Sequence, residues 1–127
     1  MNDYAWVRIT AHNSIPLREG RTVTVAGREI AIFNLGYRVL AIDNRCPHRA
    51  GPLSDGIVTG TSVVCPLHGW RVALQTGAVE RPAGTSACVE TYPVRIDNGV
   101  IVVGLPSDFV DRDRRDQVEA LAEEIGS

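Results

Sequence analysis

The chain has no basic run, no apolar stretch approaching the length of a membrane span, no G-x-G triplet and too few cysteines for a disulfide framework. Each absence removes a class of function. A formal net charge of -2 without basic clusters gives no footing for a nucleic-acid or membrane-surface partner. Asn2, Asp3 and Arg8 interrupt the only candidate secretory segment, so a soluble, cytoplasmic protein is expected. Without G-x-G there is no Rossmann fingerprint for a nicotinamide or a flavin, and no Ser-His-Asp arrangement stands out. Three cysteines are an odd number, which argues against a stapled scaffold.

What is present is 127 residues, 44% of them hydrophobic, enough for one domain with a sizeable core. Residues 6–10, 21–26, 29–34, 37–42, 62–64, 70–74, 88–96 and 100–103 read as short strands separated by glycine-bearing turns. Residues 29–34 are ambiguous, because Ile30 and Ile32 alternate with the equally apolar Ala31 and Phe33. Asn98-Gly99 between apolar runs is a hairpin signal. Such a pattern predicts an all-β fold, a small antiparallel sandwich or barrel, with the loops projecting from its end. From Pro106 onward, acidic and arginine residues replace the alternation, and Val118, Leu121, Ala122 and Ile125 recur at helical spacing. The expected division is therefore a domain over residues 1–106 and a C-terminal α-helical tail over 107–127. That helix either packs by its narrow apolar stripe against the sheet or docks a partner chain.

Two stretches carry the chemistry. Cys46-Pro47-His48 and Cys65-Pro66-Leu67-His68-Gly69-Trp70 each offer one thiolate and one imidazole from a short loop. A zinc finger usually pairs like ligands, although a mononuclear zinc site is not excluded by this inventory. Mixed pairs suit a 2Fe-2S cluster in which one iron takes two sulfurs and the other two nitrogens, one of each from either loop. Cys46-x-His48 with Cys65-x-x-His68-Gly69 resembles the Rieske family. The resemblance implies one Rieske 2Fe-2S cluster, with Cys46 and Cys65 on the inner iron and His48 and His68 on the outer one.

Several finer expectations follow from that resemblance. Membrane-complex Rieske proteins add a disulfide at the places held here by Gly51 and Leu67, so that bond cannot form in this chain. Their serine and tyrosine hydroxyls, which bond to sulfur, correspond to Trp70 and Val72. Fewer such bonds imply a potential towards the lower end of about -150 to +300 mV. Arg81-Pro82-Ala83-Gly84 is placed either as a loop covering the cluster or as an ordinary turn. Arg45, Arg49, Arg71 and Arg81 are either a basic rim for an acidic partner or solvated surface residues. Cys88 is read as a small core residue, His12 as a surface residue, and Trp6 and Trp70 as packing residues.

Once the cluster takes its ligands, only Cys88 and His12 remain among the cysteines and histidines, too few for the two-histidine, one-carboxylate iron of a complete ring-hydroxylating oxygenase. One-electron transfer is thus the expected activity, with no catalytic residue on this chain and catalysis on a partner. Residues 6–9, 28–33, 56–58 and 63–70, followed by Thr76-Gly77, resemble the small subunit of NAD(P)H-dependent nitrite reductase, an oxidoreductase of nitrate assimilation. That likeness implies a large flavin and sirohaem subunit as partner. A Rieske ferredoxin serving a ferredoxin reductase and the terminal oxygenase of an aromatic-ring dioxygenase is the alternative, and a non-redox assembly subunit a third.

Overall fold

The structure, a computed structural model, describes residues 4–25, 27–47, 51–67 and 69–106. Among them eleven strands form three antiparallel sheets. The first sheet has the order β1 (Tyr4–Ala11), β11 (Val100–Pro106), β10 (Val94–Asp97). The second has the order β2 (Gly20–Val25), β3 (Arg28–Asn34), β4 (Val39–Asp43), β9 (Thr91–Tyr92). The third runs β5 (Ile57–Thr59), β6 (Ser62–Val64), β7 (Arg71–Ala73), β8 (Val79–Arg81). Short 3-10 turns occupy His12–Ser14 and Leu53–Asp55. The all-β expectation is met; the proposed C-terminal helix at 107–127 lies outside the described residues.

The ambiguity of β3 has a physical cause, since this strand is covered on both faces. Ile30 and Ile32 enter one core with Ile101, Val103 and Leu105 of β11. Ala31 and Phe33 point the other way, into a second core with Ile42, Leu53, Val63, Val72 and Leu74. Successive strand residues face opposite sides, so a strand sandwiched between two layers must be apolar throughout. Phe33 is fully buried and lies across Gly20, where an added Cβ would meet its Cε1 at 2.6 Å. Burying such a ring stabilises the fold by about 1.5–3 kcal/mol.

Residues 88–96, read as one strand, are two. Pro93 lacks an N–H and cannot continue a ladder. Before it Thr91 and Tyr92 pair with Ile42 and Ala41 of the second sheet, and after it Val94–Asp97 pairs with β11 of the first. The chain thus changes sheets at the proline. Cys88 is a further correction: it is exposed, bridged to Ala78, while its neighbour Val89 takes the inward position. Trp6 is corrected as well. It is 39% exposed on the outer face of β1, with the Arg95 guanidinium carbon 3.9 Å from its ring centroid. Asn98 and Gly99, both at positive φ, form the expected hairpin between β10 and β11.

Candidate metal centre

Two loops meet at the second core. Loop one leaves β4 and returns to β5, closed by a bridge between Arg45 and Pro52 and by the Cys46 N–H, which donates to the Gly51 carbonyl at 2.9 Å. Loop two joins β6 to β7. There the Cys65 N–H donates to the Trp70 carbonyl at 2.7 Å, and the Gly69 N–H donates back to the Cys65 carbonyl at 3.0 Å. A loop so closed leaves its first side chain little freedom. Gly69 makes the reversal at φ +73°, in the left-handed region that glycine enters at no steric cost.

Both sulfurs point inward. Cys46 and Cys65 are each 3% exposed and belong to the same core cluster, and neither is in a disulfide. The loops touch at Gly51, where an added Cβ would lie 3.0 Å from Cys65 Sγ and 2.9 Å from Leu67 Cδ1. Positions 51 and 67, which carry the additional cysteines in the disulfide-bearing relatives, therefore do face one another. Here they hold a glycine and a leucine. Two buried thiols, brought together from separate loops in an apolar setting, fit the sulfur half of an iron–sulfur centre. His48 and His68 lie outside the described residues, as does Arg49. Among the described residues no group of three possible metal ligands gathers, since two of the four expected ligands are not among them.

Val72 is fully buried and Trp70 packs half-buried against the same core, so these positions offer no hydroxyl. Cys65 Sγ accepts no hydroxyl bond from any described residue. Of the arginines near the loops, Arg45 lies 3.7 Å from Asp43 and Arg71 lies 3.2 Å from Glu80. Glu80 also accepts a hydrogen bond from the Ser62 hydroxyl. Arg81 stands directly across from Arg71 in the β7–β8 ladder and forms no ion pair with a described residue. The Pro82 loop accordingly leaves the sheet beside loop two. The Arg71–Glu80 pair, partly exposed on both sides, is worth about 0–1 kcal/mol.

Asn44, at the base of loop one, did not stand out in the sequence. It is 1% exposed, and its amide hydrogen-bonds Glu29 of β3 and the Ser54 N–H of the turn after the loop. A local pattern cannot distinguish such a residue from an ordinary turn asparagine.

Three antiparallel sheets presenting two thiol-bearing loops define the class of protein. Residues 5–104 match the Rieske-like 2Fe-2S domain, and the chain belongs to that family. It is an electron-transfer domain carrying one Rieske-type 2Fe-2S cluster. The chain is 34% identical over 100 residues to the ferredoxin component of the naphthalene 1,2-dioxygenase system of Pseudomonas aeruginosa, covering 79% of this chain and 95% of that one. In structure it is similar to the ferredoxin of carbazole 1,9a-dioxygenase from Nocardioides aromaticivorans IC177, with a TM-score of 0.73 and 28% identity over 78% of this chain and 96% of that one. It is also similar to a candidate NADH-dependent nitrite reductase small subunit from Mycobacterium tuberculosis, with a TM-score of 0.75 and 25% identity over 82% of this chain and 97% of that one. No helix among the described residues is long and apolar enough to cross a membrane.

Proposed function

We propose that Cys46 and Cys65 hold one iron of the cluster and His48 and His68 the other, and that the chain is a ferredoxin handing single electrons to a terminal ring-hydroxylating oxygenase. The observation carrying this reading is the 34% identity to a dioxygenase ferredoxin over 95% of its length. When bound, the cluster would supply one-electron transfer. The polypeptide does the rest. The second core shields the sulfur side, Gly51 admits loop one against Cys65, and the missing hydroxyl donors leave the reduced state less stabilised, at the lower end of the Rieske range. Arg45, Arg71 and Arg81 steer an acidic partner to the loop end. Residues 1–106 form the functional domain and 107–127 an appended tail, and the protein acts in the cytoplasm. The test is reconstitution with a flavin reductase and a terminal ring-hydroxylating oxygenase: turnover that depends on this chain supports the reading, and no turnover counts against it.

A second reading, the small subunit of nitrite reductase, is supported by the M. tuberculosis structure, which this chain covers to 97%. It predicts co-purification with a sirohaem flavoprotein and nitrite-dependent NADH oxidation. If the chain were instead a non-redox assembly subunit, replacing Cys46 or His68 by Ala would leave the assembled enzyme's activity intact.

A further inference from the structure

A buried side-chain amide must find hydrogen-bond partners, and those of Asn44, on the outgoing limb of loop one, lie on β3 and on the returning limb. Its Nδ2 donates to Glu29 Oε1 at 3.1 Å, and its Oδ1 accepts from the Ser54 N–H at 2.8 Å. Its main chain repeats the pattern. The N–H donates to the Glu29 carbonyl at 3.0 Å, while the carbonyl accepts from the Leu53 N–H at 2.7 Å. One residue therefore ties β3 to the outgoing limb of the loop and the outgoing limb to the returning one. Ser54, itself 7% exposed, shares a hydroxyl hydrogen bond with Thr22, which extends the knot to β2. Within the loop, the Arg45 N–H donates to Asp43 Oδ1 at 2.9 Å.

We propose that Asn44 is a positioning residue for the cluster: its amide clamps the two ends of residues 45–52, so that the Cys46 thiolate is held in its ligating place by the fold rather than gathered there by the metal. This rests on the assignment of Cys46 as an iron ligand. Closing a loop costs chain entropy, and a loop closed by protein hydrogen bonds has already met that cost before iron binds. Removing the amide leaves the Ser54 N–H buried without its acceptor, a penalty of the kind that opens a loop end. Asn44 acts on Cys46 through the loop and not by touching it, so the effect is the change in loop opening that one buried unsatisfied donor brings, on the order of tenfold.

The experiment uses the full chain with its cluster, purified anaerobically, and follows loss of the cluster's visible absorbance to a ferrous chelator. Amide hydrogen exchange at Cys46, Leu53 and Ser54 is read in parallel. Asn44→Ala is expected to release iron on the order of tenfold faster, with faster exchange at those three amides. Glu29→Ala removes one bond of the knot and gives a smaller acceleration; Glu29→Gln keeps the accepting oxygen and releases iron at the wild-type rate. Ile101→Val, in the first core, lowers Tm and leaves iron release unchanged. Equal release from Asn44→Ala and Ile101→Val overturns the proposal, because a merely structural loss affects both. Should Asn44→Ala fail to fold, equal rates for Glu29→Ala and Glu29→Gln overturn it instead. A wild-type chain without a Rieske signal sinks the ligand assignment and this proposal with it, whereas normal wild-type loading with unaltered variants sinks only the clamp.

Discussion

Gly51 is the point at which the two loops press together, and Gly51→Ala tests whether that contact is as close as it stands. The new methyl would lie 3.0 Å from Cys65 Sγ, 2.9 Å from Leu67 Cδ1 and 3.1 Å from Leu67 Cγ, each a few tenths of an ångström inside ordinary contact. The two residues differ in what they can concede. Leu67 is 57% exposed and can swing into solvent. Cys65 is 3% exposed, and hydrogen bonds at both its N–H and its carbonyl hold its backbone, so its sulfur can yield only if the loop moves. Overpacking a tight site costs about 1–3 kcal/mol, and with Leu67 free to move the lower half of that range is expected. At about 4–8 °C per kcal/mol for a small domain, Tm should fall by roughly 4–16 °C. Because the pressure falls on a proposed ligand, cluster release to a chelator should also accelerate. The double variant Gly51→Ala/Leu67→Ala removes the leucine contacts and leaves the sulfur contact. It should recover part of the Tm loss without recovering cluster retention. A single variant with wild-type Tm and wild-type retention, or a double variant restored in both, would refute the assignment of Cys65 as the unyielding neighbour.

Two further perturbations probe the scaffold. At Gly77 an added Cβ would lie 2.0 Å from the Val89 carbonyl oxygen, and φ is +78°, so Gly77→Ala should cost at least about 3 kcal/mol. A Tm drop of less than about 4 °C would show that the turn between β7 and β8 can shift. Tyr92 should govern stability in alkali. Burial raises its pKa above 10.0, with the Asp43 and Glu90 charges adding to the rise and the Arg28 guanidinium offsetting part of it. Since the folded state disfavours the phenolate, this contribution is fully present below the unfolded value of 10.0 and is lost as pH rises through the higher folded value. Thermal melts taken at increasing pH above about 9 should show wild type losing more Tm than Tyr92→Phe; parallel curves would contradict it.

The two cysteines of the proposed centre were more legible in the sequence than the frame around them, and the reason is locality. Cys46 and Cys65 sit in loops whose composition and spacing are written within a few residues, and the structure does bring their two buried sulfurs into one core. The Asn98-Gly99 hairpin was equally local. By contrast, whether Cys88 or Val89 points inward depends on which strand lies beneath them, and the apolar run of β3 became intelligible only once a layer was found on each face. Pro93 could have warned of the break between β9 and β10, but a proline alone does not tell a bulge from a change of sheet. β5 and β8 are so short that their pairing partners, not their own residues, make them strands. The outward set of Trp6 follows from the stacking of Arg95 across the sheet, a contact between residues far apart in the chain. Asn44 is the clearest case, because its role consists entirely of bonds to Glu29, Leu53 and Ser54.

We propose that the fold holds one cluster through two sulfurs and two nitrogens. The most direct test is the EPR spectrum of the dithionite-reduced, anaerobically purified chain, read beside iron and acid-labile sulfide content and beside Cys65→Ser. A rhombic signal with average g below the free-electron value, about two irons and two sulfides per chain, and loss of both in Cys65→Ser are predicted. A silent spectrum, or a signal that survives Cys65→Ser unchanged, would contradict it.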